Sequence, residues 1–354
     1  MKIVEIIPHL TSGGAERFTV DLANELAQRH EVLLVLFYPL SRTDLHFLLP
    51  EVSSRVKVLS LDKHRGLDAG LIHRLARTLR TIDPDIVHCH INAFEYVFMA
   101  KVLGHFGCHC YYTVHNEAKF DASGWLGGHL RRFAFRRGLI TPVTISAESL
   151  LSFRAYYGMD AALIPNGRKL FTKTENQTKE KNVLVSIARF TKVKRQDMLA
   201  RIVRRLEQEG YRFTLQLIGQ HQDKDVLCAV QAVGCRCVEI VGEVSNPLDY
   251  LRRADAFLLC STNEGMPISL IEAMSAGAIP VCTPVGGIVN MVTDGVSGIL
   301  SEDSSEDSYY RALIQFLDMP EENKITMRMQ AMHAASTYGI ETCACRYEQL
   351  WNIH

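Results

Sequence analysis

Short runs of β-branched and apolar residues recur along the chain and alternate with segments of helical periodicity. KIVEII is followed by a glycine-containing loop and an amphipathic stretch from Ala15 to Arg29; EVLLVLF, DIVHCH, HCYYTVH and TPVTIS come next, each leading into a helix-like segment. Strands that alternate with helices predict a parallel sheet. From Asn166 to Lys181 the pattern breaks into NGRKLFTKTENQTKEK, polar and nearly free of aliphatic residues, which reads as a linker. Beyond it NVLVSIA, FTLQLIG, CRCVEIVG, DAFLLC and AIPVC restart the same alternation as a second doubly wound unit. After about residue 320 the pattern is helical only, and such helices need a surface to pack on. The expected α/β organisation is therefore a first Rossmann-like domain over 1–165, a linker over 166–181, a second domain over 182–320, and C-terminal helices over 321–354 that cross back to the first.

Composition agrees with two cores. At 354 residues and 47% hydrophobic content the chain exceeds what one core usually supports. Lys plus Arg equals Asp plus Glu at 39 each, so no global field draws it to nucleic acid. Glu5 interrupts the first apolar run and no small-residue cleavage site follows, so MKIVEIIPHL reads as a strand and not a signal peptide. No apolar run approaches the roughly 20 residues of a membrane helix. The expectation is a cytoplasmic protein, at most peripheral at the inner membrane face. Six of the ten cysteines form CxC pairs and none forms CxxC, which points to small buried residues in a reducing compartment more than to zinc.

The stretch STNEGMPISLIEAMSAGAIPV, Ser261 to Val281, carries the most chemistry. It follows a strand, breaks at Gly265 and Pro267, and turns apolar at helical spacing, so a helix starts near Pro267 at a strand's carboxyl end. Backbone N–H groups of Gly265, Met266, Ile268 and Ser269 at that start favour a phosphate. Glu264 and Glu272 at the same place would repel one unless each has a neutral polar partner and cations balance the rest. A nucleotide sugar meets that demand, with hydroxyls on both sides of its diphosphate. By itself the segment also reads as a helix-capping Glu with a second surface Glu. Cations come from VSIARFTKVKRQD, where Arg189 and Lys194 lie on the turn after a strand; alone, each also reads as a solvated loop residue.

Together with SGGAERF after the first strand, PDIVHCH, TVHN and IPNG, these residues resemble glycosyltransferase family 4, with EGMPISLIE as its Glu-x7-Glu motif. The resemblance spans nearly the whole chain. It implies the GT-B fold, two Rossmann-like domains facing across a cleft, and a retaining transferase that uses a nucleotide diphosphate sugar with neither cofactor nor metal. By the motif, Glu264 contacts hydroxyls of the donor sugar and Glu272 the ribose. Arg189 and Lys194 contact the diphosphate, joined by the Gly265–Ile268 backbone, by Met266 and Pro267, and by Gly13 and Gly14 from the other domain. His115 lies near the reacting carbon. The chain departs from the family's usual residues at Arg195, where glycine is common, at Arg168 and Lys169, where an acid is, and at Asn290, where glutamate is.

Two further features bear on partners and rivals. GWLGGHLRRFAFRRGLI places Arg131, Arg132, Arg136 and Arg137 among Trp125, Leu126, Phe133 and Phe135, a pattern that suits either an anionic membrane surface near a saccharide or lipid-linked acceptor, or a core-packed helix with its arginines in water. His88 and His90, with His115, invite a metal-dependent hydrolase as the alternative; a non-catalytic nucleotide-sugar-binding subunit is the other.

Overall fold

The computed structural model describes every residue except 65, 67, 105, 122–123, 172–181 and 353–354, so most of the expected linker lies outside the described residues. In chain order the first elements are β1 (Lys2–Ile7), α1 (Gly14–Leu26), β2 (Glu31–Leu36), β3 (Lys57–Ser60), α2 (Ala69–Ile82), β4 (Ile86–His90), α3 (Phe94–Gly104), β5 (His109–Val114), α4 (Ala118–Asp121), α5 (Gly124–Arg136), β6 (Thr141–Thr144), α6 (Ala147–Tyr157) and β7 (Ala162–Leu163). Then follow β8 (Val183–Ile187), α7 (Gln196–Gln208), β9 (Thr214–Ile218), α8 (Lys224–Val233), β10 (Val238–Gly242), α9 (Leu248–Arg253), β11 (Ala256–Leu259), α10 (Ile268–Ser275), β12 (Ile279–Cys282), α11 (Ile288–Met291), β13 (Ile299–Leu300), α12 (Glu306–Leu317), α13 (Glu321–Ala335) and α14 (Ile340–Trp351).

The chain divides into two compact units, Met1–Lys169 with Ile340–His354, and Leu170–Gly339. The first holds a seven-stranded sheet in the order β3-β2-β1-β4-β5-β6-β7, the second a six-stranded sheet in the order β10-β9-β8-β11-β12-β13. The pairings are parallel throughout. Parallel strands covered on both faces need apolar residues at almost every position, and β4, β11 and β12 are buried along their whole length. In each sheet the strand order reverses beside its first strand, at β1/β4 and at β8/β11; loops diverge there at the carboxyl ends and leave room for a ligand.

The strands missing from the sequence reading are β3, β7 and β13. KVLS alternates polar and apolar at an edge, and the other two are two residues long, below any periodic window. Of the C-terminal helices, α13 packs within the second unit against α10 and β12, whereas α14 packs on α1 in the first. Two polar contacts help to hold α13: Lys324 Nζ lies 3.4 Å and Arg328 Nη2 2.8 Å from the buried Asp255 carboxylate. Among the described residues no helix is long and apolar enough to cross a membrane.

Candidate functional site

The second unit gathers its chemistry at the β8/β11 switch point. The loop after β8 carries Arg189 and Lys194, and the loop after β11 carries Ser261 and Glu264 before α10 begins. The two loops are tied by the Thr262 N–H, which donates to the Val193 carbonyl at 2.9 Å. Glu264 is buried, and its Oε1 accepts from Lys194 Nζ at 2.5 Å and from Ser261 Oγ at 2.6 Å. Gly286, at φ +53°, permits this packing, because a Cβ there would overlap the Glu264 carbonyl oxygen. Pro267 caps α10, which begins at Ile268; Met266, Ile268 and Glu272 are buried around that start. Arg189 is exposed, while its carbonyl accepts from Gln196 Nε2 at 2.9 Å and so pins the turn. The structure thus brings Lys194 directly onto Glu264, 70 residues away, a contact the motif spacing alone did not specify.

The departures from the family pattern have local explanations. Arg195 caps α7 at φ 55°, ψ 39°, a left-handed conformation that glycine takes freely and that costs another residue about 1–2 kcal/mol. Its guanidinium bonds the Ser304 carbonyl. Arg168 is buried and donates to Asp21 Oδ2 at 2.6 Å, fastening its loop to α1. Asn290 is exposed, and its carbonyl accepts from Tyr338 Oη at 3.1 Å.

In the first unit Gly13 caps α1, and Gly14 is the first residue of that helix. The space a side chain at Gly13 would need is filled by the Glu16 carboxylate, which also accepts from Thr11 Oγ1 at 2.7 Å. The expected open glycine approach therefore has a carboxylate folded over it. Burial works against the Glu16 charge, yet His9 and Thr11 outweigh it and hold the carboxyl below its ordinary range.

His115 follows β5 and stands at the less buried end of a polar chain. Glu5, in the middle of β1, is fully buried; His90 Nε2 lies 2.8 Å from its Oε2, and His88 Nδ1 lies 3.1 and 3.2 Å from its two oxygens. His90 Nδ1 is 3.1 Å from His115 Nε2, His88 Nε2 is 2.8 Å from Thr113 Oγ1, and Thr113 Oγ1 is 2.8 Å from Tyr347 Oη on α14. Glu5 was missed as a site residue, although a lone acid inside an apolar strand is the signal that finds it. Glu5, His88 and His90 have the donor types of a metal site, with ligand atoms within 4.8 Å of one another. Their spacings are those of hydrogen bonds, with both imidazoles satisfied on the carboxylate.

Burial alone would raise the Glu5 carboxyl, but His88 and His90 hold it at about 2. Burial, then the neighbouring His88, lowers His90 to about 4, and burial with the other two imidazoles puts His115 well below its ordinary 6.5. The unfolded state therefore takes up protons first. Stability of the first unit, full above about pH 6.5, is expected to fall through pH 4 because His90 and His115 stay neutral only when folded, and further from about pH 4.5 toward pH 2 because Glu5 stays ionised only when folded. Thermal unfolding followed from pH 8 to 4 should lose on the order of 3 kcal/mol from His90 alone; a flat profile would refute it.

Arg131 requires a correction. It was placed with Arg132, Arg136 and Arg137 on a basic surface, but it is fully buried, because it shares a helical face with Gly127, Gly128, Ala134 and Phe135. Its guanidinium donates to Glu95 Oε1 at 2.9 Å and Tyr112 Oη at 2.8 Å, bonds Asp121, and lies over the Phe94 and Tyr112 rings. Arg136 and Arg137 are exposed, as are Phe120, Trp125 and Leu126.

Comparison with known proteins adds to this geometry. Residues 12–170 match the model for Glycosyltransferase Family 4 and residues 168–331 that for Glycosyl transferases group 1. The chain is 25% identical over 314 residues to a Campylobacter jejuni alpha-1,4-N-acetyl-D-galactosaminyltransferase that is named for an undecaprenol diphosphate-linked glycan, with 85% of this chain and 84% of that one covered. It is 24% identical over 299 residues to the Staphylococcus aureus capsular polysaccharide biosynthesis glycosyltransferase CapH, covering 80% and 82%. The crystal structure of Anabaena HepE in complex with UDP and glucose shares the fold at a TM-score of 0.82, with 17% identity and 99% of each chain covered. Two doubly wound parallel sheets, the Glu264–Glu272 helix start on the second, and two family models that adjoin at the boundary between the units lead to one conclusion: the chain belongs to glycosyltransferase family 4 and has the GT-B fold.

Proposed function

We propose that this glycosyltransferase takes a sugar from a UDP- or GDP-linked donor and passes it, with retention of anomeric configuration and no divalent metal, to a hydroxyl of a lipid-linked or growing surface polysaccharide. The observation that carries the reading is the Lys194–Glu264–Ser261 constellation at the β8/β11 switch point, beside a helix start with a second buried carboxylate, Glu272. Here Glu264 takes donor-sugar hydroxyls and Glu272 the ribose. Lys194 leaves Glu264 for the diphosphate, and with Arg189 and the Gly265–Ile268 backbone it stabilises the charge that grows as the diphosphate departs. A departing phosphate oxygen helps to deprotonate the incoming hydroxyl, so the protein's share is positioning and electrostatics. His115 keeps the donor-contact role that the family motif implies, and Gly13 and Gly14 take theirs once the Glu16 carboxylate swings off the loop. The UDP and glucose bound to HepE, and the polyprenol- and capsule-related names of the relatives, support the donor and acceptor classes.

Thermal shifts with UDP, GDP and ADP identify the base, and turnover with the matching donor in excess EDTA tests the metal. Activity should persist in chelator; complete loss that manganese restores would overturn the metal-free mechanism. Stoichiometric zinc in the purified protein would favour the hydrolase alternative instead. We place the enzyme on the cytoplasmic side, in peripheral contact with the membrane through Arg136 and Arg137 beside Phe120, Trp125 and Leu126. Flotation with anionic liposomes should be lost in Arg136→Glu/Arg137→Glu, and equal flotation of variant and parent would dismiss that contact.

A further inference from the structure

We propose that Glu5 and His90 are positioning residues that hold His115 as the neutral tautomer with its proton on Nε2, leaving a bare Nδ1 to accept a substrate hydroxyl. The inference rests on the reading that His115 meets the substrate. It follows from bonding capacity at each link. An ionised carboxylate only accepts, so His90 Nε2, 2.8 Å from Glu5 Oε2, carries the proton. His90 is fully buried and its pKa lies at about 4, so it is neutral and its Nδ1 is a lone pair. His115 Nε2, 3.1 Å from that nitrogen, must donate to it. The neutral imidazole then has no proton left for Nδ1.

The surroundings hold this arrangement in place. His88 bridges the two Glu5 oxygens and continues through Thr113 to Tyr347, which fixes the carboxylate. Phe18 packs edge-on against both His90 and His115, at centroid distances of 6.0 and 5.7 Å. The Glu5 charge, passed through His90, strengthens His115 as an acceptor in the same way that a carboxylate behind a metal-bound histidine raises its basicity. That polarity suits glycosyl transfer. Positive charge develops at the anomeric carbon as the diphosphate leaves, and an imidazolium nearby would oppose it, whereas a bare nitrogen backed by a buried anion favours it.

The test is long-range ¹H–¹⁵N spectroscopy of ¹⁵N-histidine-labelled full-length protein, with the His115 ring assigned by its loss in His115→Ala, alongside steady-state kinetics. At neutral pH the wild-type His115 ring should show a protonated Nε2 and an unprotonated Nδ1; a protonated Nδ1, alone or with Nε2, would overturn the proposal. Glu5→Gln presents one donor and one acceptor where two acceptors stood, so one histidine must turn its tautomer over. We expect kcat about 10- to 100-fold lower with the donor KM within about twofold, and an altered His115 spectrum. Folded Glu5→Gln protein with unchanged kcat, in a background where His115→Ala destroys turnover, would overturn the proposal. Full turnover by His115→Ala would instead sink the reading that His115 meets the substrate. The wild-type spectrum judges the tautomer independently, and does so even if Glu5→Gln does not fold.

Discussion

Glu264→Ala is expected to lower kcat by about 10²–10³ while moving the melting temperature by no more than a degree or two. Among the described residues the Glu264 carboxylate is met by Lys194 and Ser261, and neither suffers much when it goes: the Lys194 side chain is 22% exposed and can hydrate, and Ser261 is a neutral hydroxyl. In the proposed reaction, by contrast, Glu264 is the group that orients the transferred sugar, and a misplacement of an ångström removes most of the gain from positioning. Lys194→Ala should be the complementary case. Among the described residues it leaves the buried Glu264 carboxylate with Ser261, and in the proposed reaction it removes a cation from the diphosphate, so the UDP or GDP thermal shift should shrink together with kcat. Turnover of Glu264→Ala above about a tenth of the parent rate would remove this residue from the reacting centre.

Arg131→Ala is expected to cost about 3–5 kcal/mol, because it strands a charge network that burial makes unforgiving. Asp121 and Glu95 both lose the guanidinium, and the Phe94 and Tyr112 rings lose the cation stacked on them. For a unit of this size the melting temperature should fall by roughly 6–20 °C. The double variant Arg131→Leu/Asp121→Leu should recover much of that loss, since removing both partners of a buried pair is milder than removing one. A single variant that melts within a degree of the parent would show that the network contributes little. The same result would reopen the basic-surface interpretation, under which Arg131 stands in water and its loss is nearly silent.

The extent to which these features were legible depended on how local their physics is. Strands β1, β2, β4, β5, β8, β9, β11 and β12 announce themselves, because a strand buried on both faces is apolar almost throughout. The α10 start was legible from Gly265 and Pro267 alone. The Lys194–Glu264 bond was not, since it arises from the crossover that sets β8 beside β11, and no local pattern encodes which strands become neighbours. Glu5 was visible only as an interruption of an apolar run; its meaning required β4 to place two histidines beside it. For Arg131 the periodicity held the answer, four residues after Gly127 and three before Ala134, but the density of arginines in that helix suggested a surface.

The placement of α14 has a consequence for how the molecule is made. The second unit is one continuous segment, Leu170–Gly339, whereas the first is interrupted by it and completed only by Ile340–His354. During synthesis the second unit can close while the first still lacks a wall, and until residues 340–351 emerge Tyr347 cannot meet Thr113 and the buried carboxylate of Glu5 lies beneath an uncovered face. Synthesis of residues 170–339 thus separates in time the first unit's strands from the helix that seals them, and for that interval the sheet stands half finished.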